Sequence, residues 1–268
     1  MTIRIRVNER EVDFTGGGCL DDVRAAFKAD ADVVICNGFP AKGDDLIVDG
    51  DEIVLIRRGE VPEPEEIEAL LVARHTPGVH RKIKGARIGV AGLGGLGSQV
   101  AIALARTGVG CLVLADFDVV EPSNLNRQQY FLDQIGMSKV AALSETLRRI
   151  NPGVNIHVHE CVLGTENTPR VFAGCDILVE AFDRADQKEM LISTALDCLP
   201  DTIVIAASGL AGSGPSESIR VHRMGSRLFV VGDLETAAGP GVGLMAPRVG
   251  VAAHVQANLA LRLLLGEE

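Results

Sequence analysis

Apolar and polar residues alternate along residues 3–14 with one break at Asn8-Glu9, which predicts two short strands joined by a turn. Leu20, Val23, Ala26 and Phe27 then recur at helical spacing, so residues 20–27 read as a short amphipathic helix. Val33 to Cys36 and Glu52 to Ile56 add two strands, the second entered through Asp49-Gly50-Asp51. Strand, strand, helix, strand, strand is the order of a small β-grasp, or ubiquitin-like, unit. The rhythm breaks at Gly59-Glu60-Val61-Pro62-Glu63-Pro64, a linker. Pro64-Glu65-Glu66 opens a helix with proline and acids at the positive end of its dipole, running to about Arg74.

From Arg87 onward strands and helices alternate, the pattern of an α/β fold with a Rossmann-like, mostly parallel sheet and helices on both faces. Strands are expected at 87–91, 111–115, 154–159, 176–180 and 202–207, with helices at 96–107, 138–150, 166–173 and 186–198. A last helix at 247–264 is stopped by Gly266. Residues 208–247 are glycine-rich and read as an irregular flap beside the sheet, with short strands near 219–222 and 228–231. The expected organisation is a β-grasp domain at 1–59, a linker and helix at 60–84, and an α/β domain at 85–268.

Composition removes several function classes. A net charge of −10 disfavours the broad phosphate-neutralising surface that nucleic acid demands. None of the six cysteines forms a C-x-x-C pair, which argues against a zinc ribbon or a disulfide scaffold. The alternating N-terminus lacks the apolar core of a signal peptide, and no run approaches the roughly 20 apolar residues of a membrane span. A cytoplasmic enzyme or binding protein is the expectation. His75 and His80 read as surface histidines.

Gly92-Leu93-Gly94-Gly95-Leu96-Gly97 follows a predicted strand and opens a helix, so Gly92, Gly94, Gly95 and Gly97 allow backbone N–H groups to face an anionic phosphate. Asp116, at the end of the next strand, stands where a carboxylate accepts both hydroxyls of a ribose. Loop and aspartate together indicate a nucleotide without separating ATP from NAD. The segment that follows, Asp116-Phe117-Asp118-Val119-Val120-Glu121-Pro122-Ser123-Asn124-Leu125-Asn126-Arg127-Gln128, is a polar, arginine-bearing loop rather than a further dehydrogenase helix.

The combination G-x-G-G-x-G, D-x-D and S-N-L-x-R-Q resembles the nucleotide-binding stretch of the ThiF/MoeB family, relatives of the ubiquitin-activating enzymes, over roughly residues 70–207. The resemblance implies an adenylyltransferase that uses ATP to activate the C-terminal glycine of a small β-grasp carrier, releasing pyrophosphate. It implies that Asp116 and Asp118 lie at the nucleotide, that Asn124, Arg127, Gln128 and Lys139 contact the triphosphate, and that Asp183 positions Mg²⁺. It further implies that Arg74 reaches the phosphates of a partner subunit in a homodimer. Two other readings stay open, Lys139 as a solvated first-turn lysine and Asp183 as a helix cap, and Arg74 can equally be a linker arginine.

The chain departs from many family members in having neither two zinc-binding C-x-x-C pairs nor a cysteine within 208–247, so no zinc is expected and covalent capture at that place is excluded. Ser208-Gly209-Leu210-Ala211-Gly212, Val231-Gly232-Asp233 and Ala246-Pro247-Arg248-Val249 through Gln256-Ala257-Asn258 resemble instead a shorter, zinc-free ThiF branch linked to thiamin biosynthesis, whose partner would be a ThiS-like sulfur carrier ending in Gly-Gly. Residues 1–59 themselves resemble ThiS, most closely at Asp49-Gly50-Asp51-Glu52-Ile53-Val54-Leu55, yet the chain continues from Gly59 into Glu60 and offers no terminal carboxylate. The alternatives are a relative acting on a tRNA-linked carboxylate, as a threonylcarbamoyl-adenosine dehydratase does, and a non-catalytic nucleotide- or carrier-binding module.

Overall fold

The computed structural model describes residues 2–8, 10–61 and 64–268, with only the backbone of Pro64 and Glu65. Glu9 of the expected turn and Pro62 and Glu63 of the expected linker lie outside the described residues. The chain forms two compact units, Met1–Lys82 and Ile83–Glu268.

In the first unit β1 (Thr2–Val7) and β2 (Arg10–Thr15) form the expected hairpin, followed by α1 (Leu20–Phe27), β3 (Val33–Cys36), β4 (Phe39–Pro40) and β5 (Glu52–Ile56). The five-stranded sheet runs β2-β1-β5-β3-β4, with β1 and β5 parallel and the other pairs antiparallel. Inward-facing Ile5, Val7, Phe14, Ile53 and Leu55 close on Leu20 and Val23 of α1, so alternation on the strands and helical spacing on α1 converge on one β-grasp core. The two residues of β4 are too few to show a period, and the sequence did not mark them.

Two helices follow, α2 (Pro64–His75) and α3 (Pro77–Gly85), the second crossing the boundary between the two units. The second was not expected, because Pro77-Gly78 followed by a basic stretch reads as a loop; Thr76, in the left-handed region at φ 69°, separates it from α2. The reading of His75 and His80 as surface residues is corrected. His80 is only 4% exposed, its ring stacks on that of His75 at 6.1 Å, and neither of its nitrogens finds a hydrogen-bond partner among the described residues; Glu68 stands 3.6 Å away. Burial, and then the neighbouring His80, hold His75 below the ordinary imidazole value.

The second unit alternates β6 (Arg87–Ala91), α4 (Gly95–Arg106), β7 (Cys111–Asp116), α5 (Lys139–Ile150), β8 (Asn155–Glu160), α6 (Thr168–Val171), β9 (Ile177–Glu180), α7 (Ala185–Cys198) and β10 (Ile203–Ala207). β11 (Arg220–Arg223), β12 (Leu228–Gly232) and α8 (Ala246–Leu265) complete it, and α8 ends on left-handed Gly266 as expected. The seven-stranded sheet runs β11-β12-β10-β9-β6-β7-β8, parallel throughout except for β11 against β12. Helices flank the sheet: α4 packs on α5 and α8, and α6 packs on α7. β6, β9 and β10 are near-continuous apolar runs because both their faces are covered. No helix among the described residues is long and apolar enough to cross a membrane.

Candidate functional site

Strand order reverses beside β6: β7 and β8 extend to one side, β9, β10 and β12 to the other. In an open parallel sheet the crevice outside the strand ends at such a reversal is where ligands bind. A cavity of about 650 Å³ opens there, within the size range of small-molecule sites. It is lined by residues that follow four strands: Gly92, Gly94 and Gly95 after β6, Asp116 to Asp118 at the end of β7, Ala181 to Asp183 after β9, and Ala207 to Ala211 at the end of β10.

The glycine loop divides its labour. Gly92 sits at φ 85°, and a Cβ on Gly97 would lie 1.9 Å from the Gly92 carbonyl oxygen, so these two close the turn. Gly97 does not line the cavity, whereas Gly94 and Gly95 do, at the N-terminus of α4, where unpaired N–H groups and the helix dipole favour an anion. Asp116 also holds the loop: one carboxylate oxygen accepts the Leu93 N–H at 2.6 Å and the other the Asp118 N–H at 2.8 Å. Each oxygen keeps lone-pair capacity toward the cavity. The Tyr130 hydroxyl supports the same turn, donating to the Leu93 carbonyl at 2.8 Å; burial, then the charge of Asp116, pushes its ionisation well above the ordinary phenol value.

The polar loop after β7 is stitched to α4. The Ser98 hydroxyl accepts the Gln129 N–H and donates to the Gly94 carbonyl, and Gln99 Nε2 donates to the carbonyls of Gly95 and Arg127. Arg127 and Gln128 therefore line the cavity beside Gly94 and Gly95. Gln128 is 7% exposed and its Oε1 has no hydrogen-bond partner among the described residues, a buried acceptor with spare capacity at the site. Lys139, 6% exposed, donates from Nζ to Asp118 Oδ2 at 2.8 Å, so it is a buried, paired cation rather than a solvated lysine.

Asn124 does not join this group. It is buried, its side-chain oxygen accepts the Glu121 N–H at 3.1 Å to cap the short turn 122–124, and it is absent from the cavity wall. That bond shapes the loop that carries Arg127. Asp183 lines the cavity, exposed, and makes no side-chain hydrogen bond or ion pair among the described residues; Arg184 occupies the N-cap position of α7, so Asp183 does not cap that helix. Arg74 stands exposed near the end of α2, in the first unit.

Two features escaped the sequence reading. The flap is part of the cavity wall: Ser208 to Ala211, Leu234 to Ala238 and Leu244 all line it. Asp233 anchors it by accepting the N–H groups of Glu235 and Thr236, the Thr236 hydroxyl, and Arg248 Nη2 at 2.6 Å. Burial raises the Asp233 carboxyl, but these donors outweigh it and bring it to about 2. Arg248 also donates to the carbonyls of Gly214 and Pro215. The second feature is Glu180, fully buried at the end of β9 and paired with Lys188 at 2.9 Å; burial pushes this carboxyl up against the opposing pull of Lys188. Both pairs join residues distant in sequence or spaced without a motif. Among the described residues no cluster of three or more His, Cys, Asp or Glu side chains is placed to hold a metal ion.

The ThiF family model matches residues 69–268, and a model of ThiS-like ubiquitin matches residues 3–59. The chain belongs to the ThiF family. Over 187 residues it is 34% identical to the molybdopterin-synthase adenylyltransferase of Salmonella typhimurium, covering 68% of this chain and 74% of that protein. Over 191 residues it is 29% identical to the adenylyltransferase and sulfurtransferase UBA4 of Candida glabrata, 69% of this chain but 44% of the relative, so it spans less than half of that longer protein. Both of these relatives are named adenylyltransferases. The solved structure of Escherichia coli tRNA N6-threonylcarbamoyladenosine dehydratase in complex with ATP matches with a TM-score of 0.68 at 23% identity, over 75% of this chain and 95% of that one, a likeness of fold.

Proposed function

We propose that this ThiF-family chain is an ATP-dependent adenylyltransferase that activates the C-terminal glycine carboxylate of a small ThiS-like sulfur carrier ending in Gly-Gly, in sulfur transfer of the thiamin type. The carboxylate oxygen bonds to the α-phosphorus, the bond from that phosphorus to the bridging oxygen breaks, and pyrophosphate leaves. The observation that carries the reading is one cavity holding the α4 N-terminus, the cations Arg127 and Lys139, and the exposed carboxylate of Asp183. The names of the adenylyltransferase relatives and the ThiS-like N-terminal domain support it.

The chemical problem is repulsion. A carboxylate approaching a phosphate at ~4 Å with an effective dielectric of ~20 meets about 4 kcal/mol, roughly a thousandfold in rate. Gly94 and Gly95 present N–H groups to the phosphates, Arg127 and Lys139 offset their charge, and Asp116 has free lone pairs for ribose hydroxyls. Lys139 starts from its pair with Asp118, which keeps the buried cation compensated before the nucleotide arrives. Mg²⁺, when bound, adds charge at the phosphate oxygens; Asp183 would hold it, and one free carboxylate suits an ion that otherwise keeps water and phosphate ligands. In a homodimer, Arg74 would serve the phosphates of the partner's site.

Exchange of labelled pyrophosphate into ATP in the presence of Mg²⁺ and a carrier ending in Gly-Gly tests the reading. Arg127→Ala or Lys139→Ala should lower exchange by about 10²–10³, and no exchange with any such carrier would overturn it. A tRNA-linked carboxylate is the second reading, favoured by the name of the dehydratase whose fold this chain shares. The net charge of −10 weighs against it, and ATP consumption that depends on tRNA rather than on carrier would establish it.

A further inference from the structure

Among the described residues Asp183 makes no side-chain hydrogen bond or ion pair, and the charged group acting on it is that of Arg184, next in the chain, so its place in the cavity is set by the backbone on either side of it. Upstream, the Ala181 N–H donates to the Ala91 carbonyl at 2.9 Å, tying the turn to β6. The Phe182 N–H donates at 2.7 Å to Glu180 Oε1. Downstream, α7 begins at Ala185 and carries Lys188, whose Nζ donates to Glu180 Oε1 at 3.0 Å, to Glu180 Oε2 at 2.9 Å and to the Ala207 carbonyl at 3.0 Å. The turn that presents Asp183 is therefore bracketed by one ion pair: Glu180 grips it from β9, and Lys188 ties Glu180 to α7 and to the end of β10.

Lys188 lines the cavity, which invites a reading as a substrate-binding cation. Its ammonium is instead committed to three protein acceptors, the two oxygens of Glu180 and the Ala207 carbonyl. Glu180 is fully buried, and such a carboxylate without a cation would be costly, so Lys188 cannot leave for a substrate without stranding it.

We propose that Glu180 and Lys188 are positioning residues for Asp183: they fix the 181–183 turn so that the Asp183 carboxylate meets a phosphate-bound divalent cation without reorganisation. This rests on the adenylation reading and adds to it two residues whose side chains bond to the turn, to each other and to the end of β10. Supporting groups of this kind commonly change metal affinity or activity by about 10–100-fold.

The test uses the full chain and Mg²⁺ titrations of ATP–pyrophosphate exchange in Lys188→Met, Glu180→Gln and Asp183→Asn. In Lys188→Met, exchange should fall and the Mg²⁺ concentration for half-maximal rate should rise, each by about tenfold, while the KM for ATP at saturating Mg²⁺ stays near that of the parent. Glu180→Gln, close to isosteric, should show the same Mg²⁺ shift and decides the matter if Lys188→Met does not fold by circular dichroism. Lys188→Met added to Asp183→Asn should cost nothing further. An unchanged Mg²⁺ requirement in a folded variant, a loss confined to ATP affinity, or an effect that multiplies with Asp183→Asn would each overturn the proposal. If the parent protein exchanges no pyrophosphate, it is the adenylation reading that fails. The Mg²⁺ dependence of ATP binding by calorimetry, in the same variants, then still decides the pair, with the same shift expected.

Discussion

Gly94 and Gly97 are both glycines of one motif, yet they answer to different constraints. A Cβ at Gly97 would press on the Gly92 carbonyl at 1.9 Å, whereas a Cβ at Gly94 would meet only Gln128 Nε2, at 3.8 Å. Gly97→Ala should therefore lower the melting temperature and lose nucleotide binding together. Gly94→Ala should melt with the parent and weaken ATP binding alone; calorimetry beside a melting curve separates the two. Asp233 supplies the pH dependence. Its folded carboxyl lies at about 2, below the ordinary 3.8, so its stabilisation is complete above about 4 and is lost as pH falls from there toward 2. Carboxyl resonances followed by NMR should place the Asp233 midpoint near 2, and Arg248→Met should raise it. The motif residues were legible because each announces itself within a few positions of a strand end. The pairings of Glu180 with Lys188 and of Asp233 with Arg248 were not, because a buried ion pair leaves no period in the chain, and the capping role of Asn124 became visible only once its oxygen was seen on the Glu121 N–H.

The elements themselves followed the apolar pattern closely. β1, β2, α1 and the alternation from β6 to β10 stand within a residue or two of where the periodicity put them, since each buries a face whose spacing the chain must repeat. The failures share a cause. β4 is too short to show a period, α3 begins in Pro77-Gly78 and carries too few apolar residues, and the flap owes its shape to a contact rather than to propensity. That contact is Arg248 on α8 against Asp233, with side chains 4% and 12% exposed. Arg248→Met leaves the carboxylate without its cation and should cost about 3–5 kcal/mol in denaturant unfolding. Because residues 234–238 wall the cavity, the same variant should raise the KM for ATP; unchanged stability would mean that the flap is held by its backbone alone.

Across the whole molecule, a ThiS-like domain shares a chain with a ThiF-family unit, yet Gly59 is joined to Glu60 by a peptide bond and has no carboxylate to offer. With ATP and Mg²⁺ but no added carrier, pyrophosphate exchange should stay at background, and exchange by the chain alone would show another internal or bound carboxylate at work. The sequence by itself determined the β-grasp and Rossmann-like classes, the phosphate loop, and the residue types that ATP chemistry requires, because period, turn chemistry and short motifs are local properties. Only the tertiary structure decided which of those residues meet. The reversal of strand order beside β6 brings the ends of β6, β7, β9 and β10 to one cavity, and burial turns Lys139, Glu180 and Arg248 into paired charges, since an ion removed from water must find its counter-ion wherever along the chain that partner lies.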